Sequence, residues 1–316
     1  MLLIQKNAAD PAKLLPALPD ALRGGALALG NFDGVHLGHQ AVIGAAIAHA
    51  RAHGVPALVA TFDPHPARHF RPDAPPFALT SLSQKLELFA GLGLDGTIVI
   101  PFNTALAGLS APAFMGEWLR DRLGVSHVVT GEDFTFGKGR SGSAATLAAD
   151  AAAHGFTATA VAPVADGERS ISSTRVRAAL QAGDARMAAA LLTRPFAVRG
   201  EVIHGDKRGR SIGVPTANID LGAYLRPRYG VYAVRARLPD GSVVPGVANL
   251  GVRPMFSPPR ELLETWLLDW SGDLYGKTLD IALVDYIREE RVLDGLEALK
   301  AQIARDAREA RAILGA

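Results

Sequence analysis

The chain has no cysteine among its 316 residues. Disulfides, thiolate metal sites and cysteine nucleophiles are therefore all excluded, and a reducing compartment suits it. Charge of one sign is also scarce in excess: the formal net charge is +2, too small to imply a nucleic-acid or membrane partner. Nor is there the basic-aromatic pattern of an RNA-binding surface. Long apolar runs are missing, and none approaches the roughly 20 residues that a membrane span needs. The start, Met1-Leu-Leu-Ile-Gln-Lys6, lacks a basic segment ahead of an apolar one, so no signal peptide is expected. These absences predict a cytoplasmic protein that binds neither nucleic acid nor membrane; a monomer or weak homo-oligomer is expected.

What is present is ordinary core material, 48% hydrophobic and 20% charged. At about 100–200 residues per domain, two domains are the natural division. Short apolar runs at 27–29, 57–62, 97–100, 127–129 and 157–161 alternate with helical patterns near 39–53, 82–91, 112–123 and 143–154. That alternation predicts an α/β, doubly wound parallel sheet, with ligands at the carboxyl ends of its strands. Near residue 195 the period changes. Runs at 196–204, 214–219, 230–238, 242–250, 263–269 and 278–287 follow one another without helices, and Pro239-Asp-Gly241 marks a hairpin turn. A six-stranded antiparallel β-barrel or a sandwich is expected, followed by a C-terminal helix that Asp294 and Glu297 would cap. The expected domains are 1–186 and 195–316, joined by a linker at 187–194 that follows an Ala-rich short helix.

Two literal motif matches carry nothing. Gly91-Leu-Gly-Leu-Asp-Gly96 fits G-x-G-x-x-G but follows a helix and precedes a strand, the reverse of the dinucleotide-binding order. Gly131 and Gly137-Lys138 are separated by five residues where a P-loop has four, and Gly139 stands in place of Ser or Thr.

Gly30-Asn-Phe-Asp-Gly-Val-His-Leu-Gly-His39 lies between the first expected strand and its helix. Gly30, Gly34 and Gly38 let backbone turn tightly and approach a ligand, and the helix N-terminus offers free N–H groups to phosphate. His36 and His39, three apart, can face one ligand and donate to phosphate oxygens as charge develops. A metal site has no third ligand of suitable spacing. Further along, Ile171-Ser-Ser-Thr-Arg-Val-Arg177 opens another helix. The hydroxyls of Ser172, Ser173 and Thr174 can cap it or bind phosphate, and Arg177 can hold a triphosphate tail.

G-x-F-D-G-x-H-x-G-H with I-S-S-T-x-x-R resembles the adenylyltransferase module of bacterial FAD synthetases. Thr61-Phe-Asp-Pro-His-Pro66 and Gly131-Glu-Asp-Phe-Thr-Phe-Gly137 match two more motifs of that module. The H-x-G-H element alone is shared by many nucleotidyltransferases, whereas the four motifs in this order are far more specific. The resemblance implies nucleotide contacts from Gly30, Phe32, Asp33, Gly34, Gly38, Ser172, Ser173 and Thr174. It implies catalytic roles for His36, His39 and Arg177, and contacts of Asp63 and Asp133 with flavin or metal, although the family often carries Asn near the position of Asp133.

The second half holds Gly205-Asp-Lys-Arg-Gly-Arg-Ser-Ile-Gly-Val-Pro-Thr-Ala-Asn218. Gly205, Lys207 and Arg210 belong to a basic, glycine-containing stretch that could wrap polyphosphate. Its P-T-A-N end resembles the signature of riboflavin kinases. That resemblance implies Mg²⁺ held by Thr216 and Asn218 beside ATP, a choice that suits oxygen ligands. It extends through Gly230-Val-Tyr-Ala233, Asn249-Leu-Gly-Val-Arg-Pro254, Gly272-Asp-Leu-Tyr-Gly276 and Ile287-Arg-Glu-Glu290. In Leu263-Glu-Thr-Trp-Leu-Leu268, alternation puts Glu264 with Trp266 and Leu268 on one strand face. A carboxylate on an otherwise apolar face is paired or has a raised pKa. Either state suits a base for the ribityl 5′-hydroxyl of riboflavin.

Three departures bear on the flavin pocket: Trp266 stands where the family often has His, Met255 where Thr is common, and Leu293 where Phe is common. The resemblance covers nearly the whole chain and implies a bifunctional transferase, using ATP with Mg²⁺, that makes FMN from riboflavin and then FAD. Competing readings are an adenylyltransferase for another phosphate ester, a non-catalytic flavin-binding regulator, and an RNA-binding synthetase-like protein.

Overall fold

In the computed structural model, residues 1–5, 18–204, 213–253 and 260–316 are described. The apolar runs at 27–29, 57–62, 97–100 and 127–129 become strands because they can be buried on both faces, whereas the run at 157–161 forms a largely exposed edge strand. Strands β1 (Leu2–Gln5), β2 (Ala26–Leu29), β3 (Ala57–Asp63), β4 (Gly96–Pro101), β5 (His127–Gly131) and β6 (Thr157–Val161) form one sheet in the order β1-β4-β3-β2-β5-β6, every pair parallel. All four residues of β2 and the first six of β3 are buried, as a sheet covered on both sides requires. The edge strand β1 falls in no expected run; its residues are partly exposed and its pattern is too short to read.

Chain order makes the sheet doubly wound. From β2 the chain moves outward through β3 and β4, then returns to place β5 on the other flank of β2. The crevice between β2 and β5 is the topological switch point, where open α/β sheets bind ligands at their carboxyl ends. Helix α1 (Leu37–His53) begins there. Helices α2 (Pro66–Phe70), α3 (Leu82–Ala90) and α4 (Ala144–Asp150) follow, with a further helical stretch over Phe114–Arg122. Helix α3 ends just before Gly91, so the glycines at 91–96 lie in a helix stop and the start of β4. At the amino end of β5, the His127 ring stacks on His49 of α1 at 3.6 Å, and His49 stacks on His53 at 4.0 Å.

The second half forms β7 (Phe196–Glu201), β8 (Thr216–Asp220), β9 (Gly230–Arg237), β10 (Val243–Arg253), β11 (Arg260–Leu267) and β12 (Thr278–Arg288). Their order is β7-β12-β9-β10-β11-β8, all antiparallel. The sheet curls far enough for Ile203, beyond β7, to bridge Asn218 of β8. Gly200 permits that closure, since a Cβ there would lie 2.4 Å from Ile219 Cγ2. Two register shifts between β9 and β12 add curvature.

The C-terminal helix α7 (Leu296–Leu314) lays Ala307, Ala310 and Leu314 on Ala233, Val247, Trp266 and Leu268. Arg288 of β12 grips its Asp306 through two hydrogen bonds of 2.8 and 2.6 Å. The expected Asp294 cap does not form; Gly295 is the N-cap, without a side-chain hydrogen bond, one residue later than the sequence pattern suggested.

The chain divides into two compact units, one of residues 1–74 and 82–171, the other of 75–81 and 172–316. The stretch expected to hold a linker is largely helical. Helices α5 (Ser173–Ala182) and α6 (Ala185–Leu192) belong to the second unit, where α6 packs on β7 and β12.

Candidate active sites

The first site grows from the carboxyl end of β2. The chain leaves the strand at Gly30, whose N–H donates to Ala60 O at 3.2 Å. It then passes through left-handed backbone at Phe32 (φ 49°), Gly34 (φ 86°) and Val35 (φ 44°). Such angles strain residues with a Cβ and persist only where surroundings impose them. Here the Phe32 ring is the anchor. It is buried, stands edge-on to Phe89 at 5.9 Å, and fills the space that a Cβ on Gly30 would need. Phe32 therefore faces the core and shapes the loop; the polar groups of the turn are what remain for a ligand.

His36 caps α1: its Nδ1 accepts from the His39 N–H at 3.3 Å. A neutral His36 in this arrangement carries its proton on Nε2, the nitrogen able to donate to an anion. The His36 and His39 rings stack at 3.6 Å. A Cβ on Gly38 would press on the His36 ring at 3.1 Å and on Ile171 O at 3.2 Å, so a side chain there would push these neighbours back by a few tenths of an ångström.

Neighbouring strands bring the other residues to the same edge of the sheet. Asp63 ends β3 beside Pro101 of β4. The Asp133 carboxylate folds back over Gly131, the last residue of β5, where a Cβ would meet Oδ1 at 2.9 Å. Aromatic rings gather past β3 and β4: Phe102 packs edge-on with Phe62, His69 and Phe70 at 5.8, 5.4 and 5.7 Å. Phe70 is 64% exposed. This cluster was not among the expected site residues, since single phenylalanines in separate loops carry no periodic signal. Lys85 was missed as well, although it interrupts the apolar stripe of α3 at Leu82, Leu86 and Phe89.

In the second unit, Ser172 is the N-cap of α5 and accepts from the Arg175 N–H at 3.2 Å. Arg177 Nε donates to Phe77 O at 2.9 Å, with its guanidinium 5.5 Å from the Phe77 ring. Ser173 and Thr174 follow in the first turn of α5.

Strand register builds the other site. Glu264 of β11 lies directly opposite Asn218 of β8 on one side and Asn249 of β10 on the other. Paired residues share a sheet face, so Asn218, Glu264 and Asn249 form one polar row. The face is thus not otherwise apolar, as alternation along β11 alone suggested, because cross-strand neighbours are invisible to it. The next row on that face, Thr216, Trp266 and Val247, runs toward the apolar contact with α7. On the opposite side of the polar row, Glu290 lies over Gly251, in the space a side chain there would fill. Asn218 is buried and donates from Nδ2 to Thr216 O at 3.5 Å. Asn249 Oδ1 is buried with no hydrogen-bond partner among the described residues, an acceptor aligned with the carboxylate. Gly205, Lys207, Arg210 and Met255 lie outside the described residues.

A glycine-rich H-x-G-H turn at the switch point of a parallel sheet, and a P-T-A-N strand in a polar row centred on one carboxylate on a barrel, define the class: two phosphate-transferring modules fused in one chain. Comparison with known proteins specifies it. The FAD synthetase family model matches residues 18–175 and the riboflavin kinase model residues 192–314. The bifunctional riboflavin kinase/FMN adenylyltransferase of Escherichia coli (strain K12) is 40% identical over 92% of both chains, and that of Bacillus subtilis (strain 168) 41% over 90% of both. A crystal structure described as a macrolide-efflux protein from Streptococcus pneumoniae superposes with a TM-score of 0.81 at 29% identity, covering 91% of this chain and 94% of that one. No helix among the described residues is long and apolar enough to cross a membrane.

The chain belongs to the bifunctional riboflavin kinase/FMN adenylyltransferases. It phosphorylates riboflavin with ATP and transfers the adenylyl group of a second ATP to the resulting FMN, giving FAD and pyrophosphate. Both activities belong to families that generally use a divalent metal.

Proposed function

We propose that adenylyl transfer takes place on the Gly30–His39 turn and riboflavin phosphorylation on the Asn218–Glu264–Asn249 row. The observation that carries this reading is the coincidence of each motif with a position where its chemistry is possible: one at a switch point, the other in a register-aligned polar row. We assign adenylyl transfer to the domain expected at 1–186 and phosphorylation to the one expected at 195–316, with helices α5 and α6 grouping with the second unit.

In adenylyl transfer the nucleophile is the FMN phosphate. Its second pKa is about 6, so it is largely dianionic at neutral pH and needs no strong base. A phosphate oxygen of FMN bonds to the α-phosphorus of ATP as the bond from that phosphorus to the bridging oxygen breaks and pyrophosphate leaves. The enzyme must align two anions and stabilise charge on the transferring group. His36 Nε2, His39 and the N-terminus of α1 suit that task. Gly30, Gly34 and Gly38 let the backbone approach. By resemblance, the hydroxyls of Ser172, Ser173 and Thr174 and the Arg177 guanidinium bind phosphate in the same reaction, and Asp63 and Asp133 contact the flavin. The exposed Phe70 ring, packed edge-on against Phe102, offers an isoalloxazine a surface for stacking.

In the kinase reaction, Glu264 accepts the proton of the riboflavin 5′-hydroxyl as its oxygen bonds to the γ-phosphorus and ADP departs. This face of the sheet is chemically suited to a metal-bound nucleotide, since Thr216 Oγ1 and, one row on, Asn218 Oδ1 are hard oxygen donors. We assign them to Mg²⁺, which would neutralise charge on the phosphate oxygens. Gly205, Lys207 and Arg210 are assigned to the ATP phosphates by resemblance. A cytoplasmic setting, as a monomer or weak homo-oligomer, is consistent with a cysteine-free chain that consumes ATP.

The test is a time course with riboflavin and ATP, resolved by chromatography, with and without a chelator and with Mg²⁺ restored. FMN should appear before FAD, and both should stop on chelation and resume with Mg²⁺. Persistence of FMN formation in excess chelator would refute the metal assignment.

A further inference from the structure

Lys85 of α3 is 6% exposed and stands on the stripe that Leu82, Leu86 and Phe89 turn toward the core. An ammonium in such a place loses its hydration and is retained only where it is paired and hydrogen-bonded. Its Nζ donates to Asn31 O at 2.8 Å and to Thr61 Oγ1 at 3.2 Å. Thr61 Oγ1 in turn donates to the same Asn31 carbonyl at 2.9 Å. Burial pulls the Lys85 pKa down, while the Asp33 and Asp63 carboxylates pull it back up. Groups from the G-x-F-D-G turn and from the T-F-D-P-H-P segment thus converge on one cation supplied by a third element.

We propose that Lys85 is a positioning residue for adenylyl transfer, its buried ammonium fixing the Asn31 carbonyl and offsetting the Asp33 and Asp63 carboxylates. The inference rests on the reading of the Gly30–His39 turn as the nucleotide site. The held carbonyl immediately precedes Phe32, the first left-handed residue of the turn. Without the ammonium, Asn31 O retains only the Thr61 hydroxyl of these two donors, and the strained segment loses a restraint at its start. The positive charge that acts on the Asp33 and Asp63 carboxylates would also be lost from the edge where ATP and the FMN dianion have to meet. Both effects misalign the reactants, and displacements near 1 Å cost about 10²-fold in rate.

The absence of cysteine permits a site-specific test. Lys85→Cys introduces a unique thiol. Alkylated with 2-bromoethylamine in denaturant and then refolded, it regains an ammonium on a side chain of lysine-like length. Iodoacetamide gives a neutral adduct in parallel, wild type passes through the same cycle, and Lys85→Met is assayed without refolding. Folding is followed by near-ultraviolet circular dichroism, and FAD formation is measured from supplied FMN and ATP. The proposal expects kcat to fall about 10²-fold in Lys85→Met and in unmodified Lys85→Cys, with a smaller change in KM. Aminoethylation should restore at least roughly tenfold of that loss, and the neutral adduct should not.

A folded Lys85→Met within about threefold of the wild-type kcat would overturn the proposal, as would equal rescue by the neutral adduct. If the Met variant does not fold, Lys85→Gln takes its place with the same thresholds. The double variant His36→Ala, His39→Ala separates the two readings. If it retains FAD synthesis, the nucleotide site is elsewhere; if it is inactive while the Lys85 variants are not, only the role of Lys85 falls.

Discussion

Glu264→Gln should separate the two activities within one folded molecule. The replacement keeps the size of the side chain and leaves a polar group in register between Asn218 and Asn249. Trp266, Val247 and the α7 contact on the neighbouring row are untouched. What disappears is a carboxylate able to take the hydroxyl proton of riboflavin. General-base catalysis is worth about 10²–10⁴-fold, or roughly 2.7–5.4 kcal/mol of barrier at 1.36 kcal/mol per decade. Adenylyl transfer should persist, because the FMN phosphate is already ionised and needs no such base. The variant is given riboflavin with ATP, or FMN with ATP, and both products are quantified. FMN from riboflavin should fall by that factor while FAD from supplied FMN stays near wild type. Normal riboflavin phosphorylation would remove Glu264 from the mechanism. Loss of both reactions would mean that the carboxylate supports the fold instead.

The converse variant, His36→Ala with His39→Ala, should abolish FAD formation and let FMN accumulate from riboflavin; undiminished FAD synthesis by the folded protein would refute the assignment. A fragment of residues 172–316 should fold and phosphorylate riboflavin. One starting at 195 should be less stable by roughly 3–6 kcal/mol, because it loses the burial of Leu191 and Leu192 on α6; equal urea midpoints would show that α6 contributes nothing. Burial and the neighbouring His49 and His53 hold the His127 pKa down at about 4. Between pH 6.5 and 4 the unfolded chain therefore binds a proton that the folded one does not. Stability should fall by up to roughly 3 kcal/mol as pH drops through that window, and His127→Gln should flatten the dependence measured by urea unfolding. An unchanged slope would contradict it.

Much of this was legible in one dimension. Runs such as 57–62 and 278–287 announce strands because their alternation or continuous apolarity is local. The motifs at 30–39 and 215–218 were legible because tight turns and phosphate contacts require particular residues at fixed spacing. Phe32 shows the limit of such reading: it belongs to the motif, yet its ring points into the core. Spatial partnership was not written locally. No pattern along β11 says that Glu264 stands between two asparagines, because register depends on how three strands pair. No pattern in α3 says that Lys85 reaches Asn31 and Thr61, 54 and 24 residues away. Helices α5 and α6 sit with the barrel although their sequence adjoins the parallel-sheet half. The kinds of element and their order follow from periodicity along the chain, and the expectation of phosphate chemistry follows from side-chain type at fixed spacing. Tertiary structure alone decided the switch point, the polar row and the buried lysine, since each is a meeting of distant segments selected by packing.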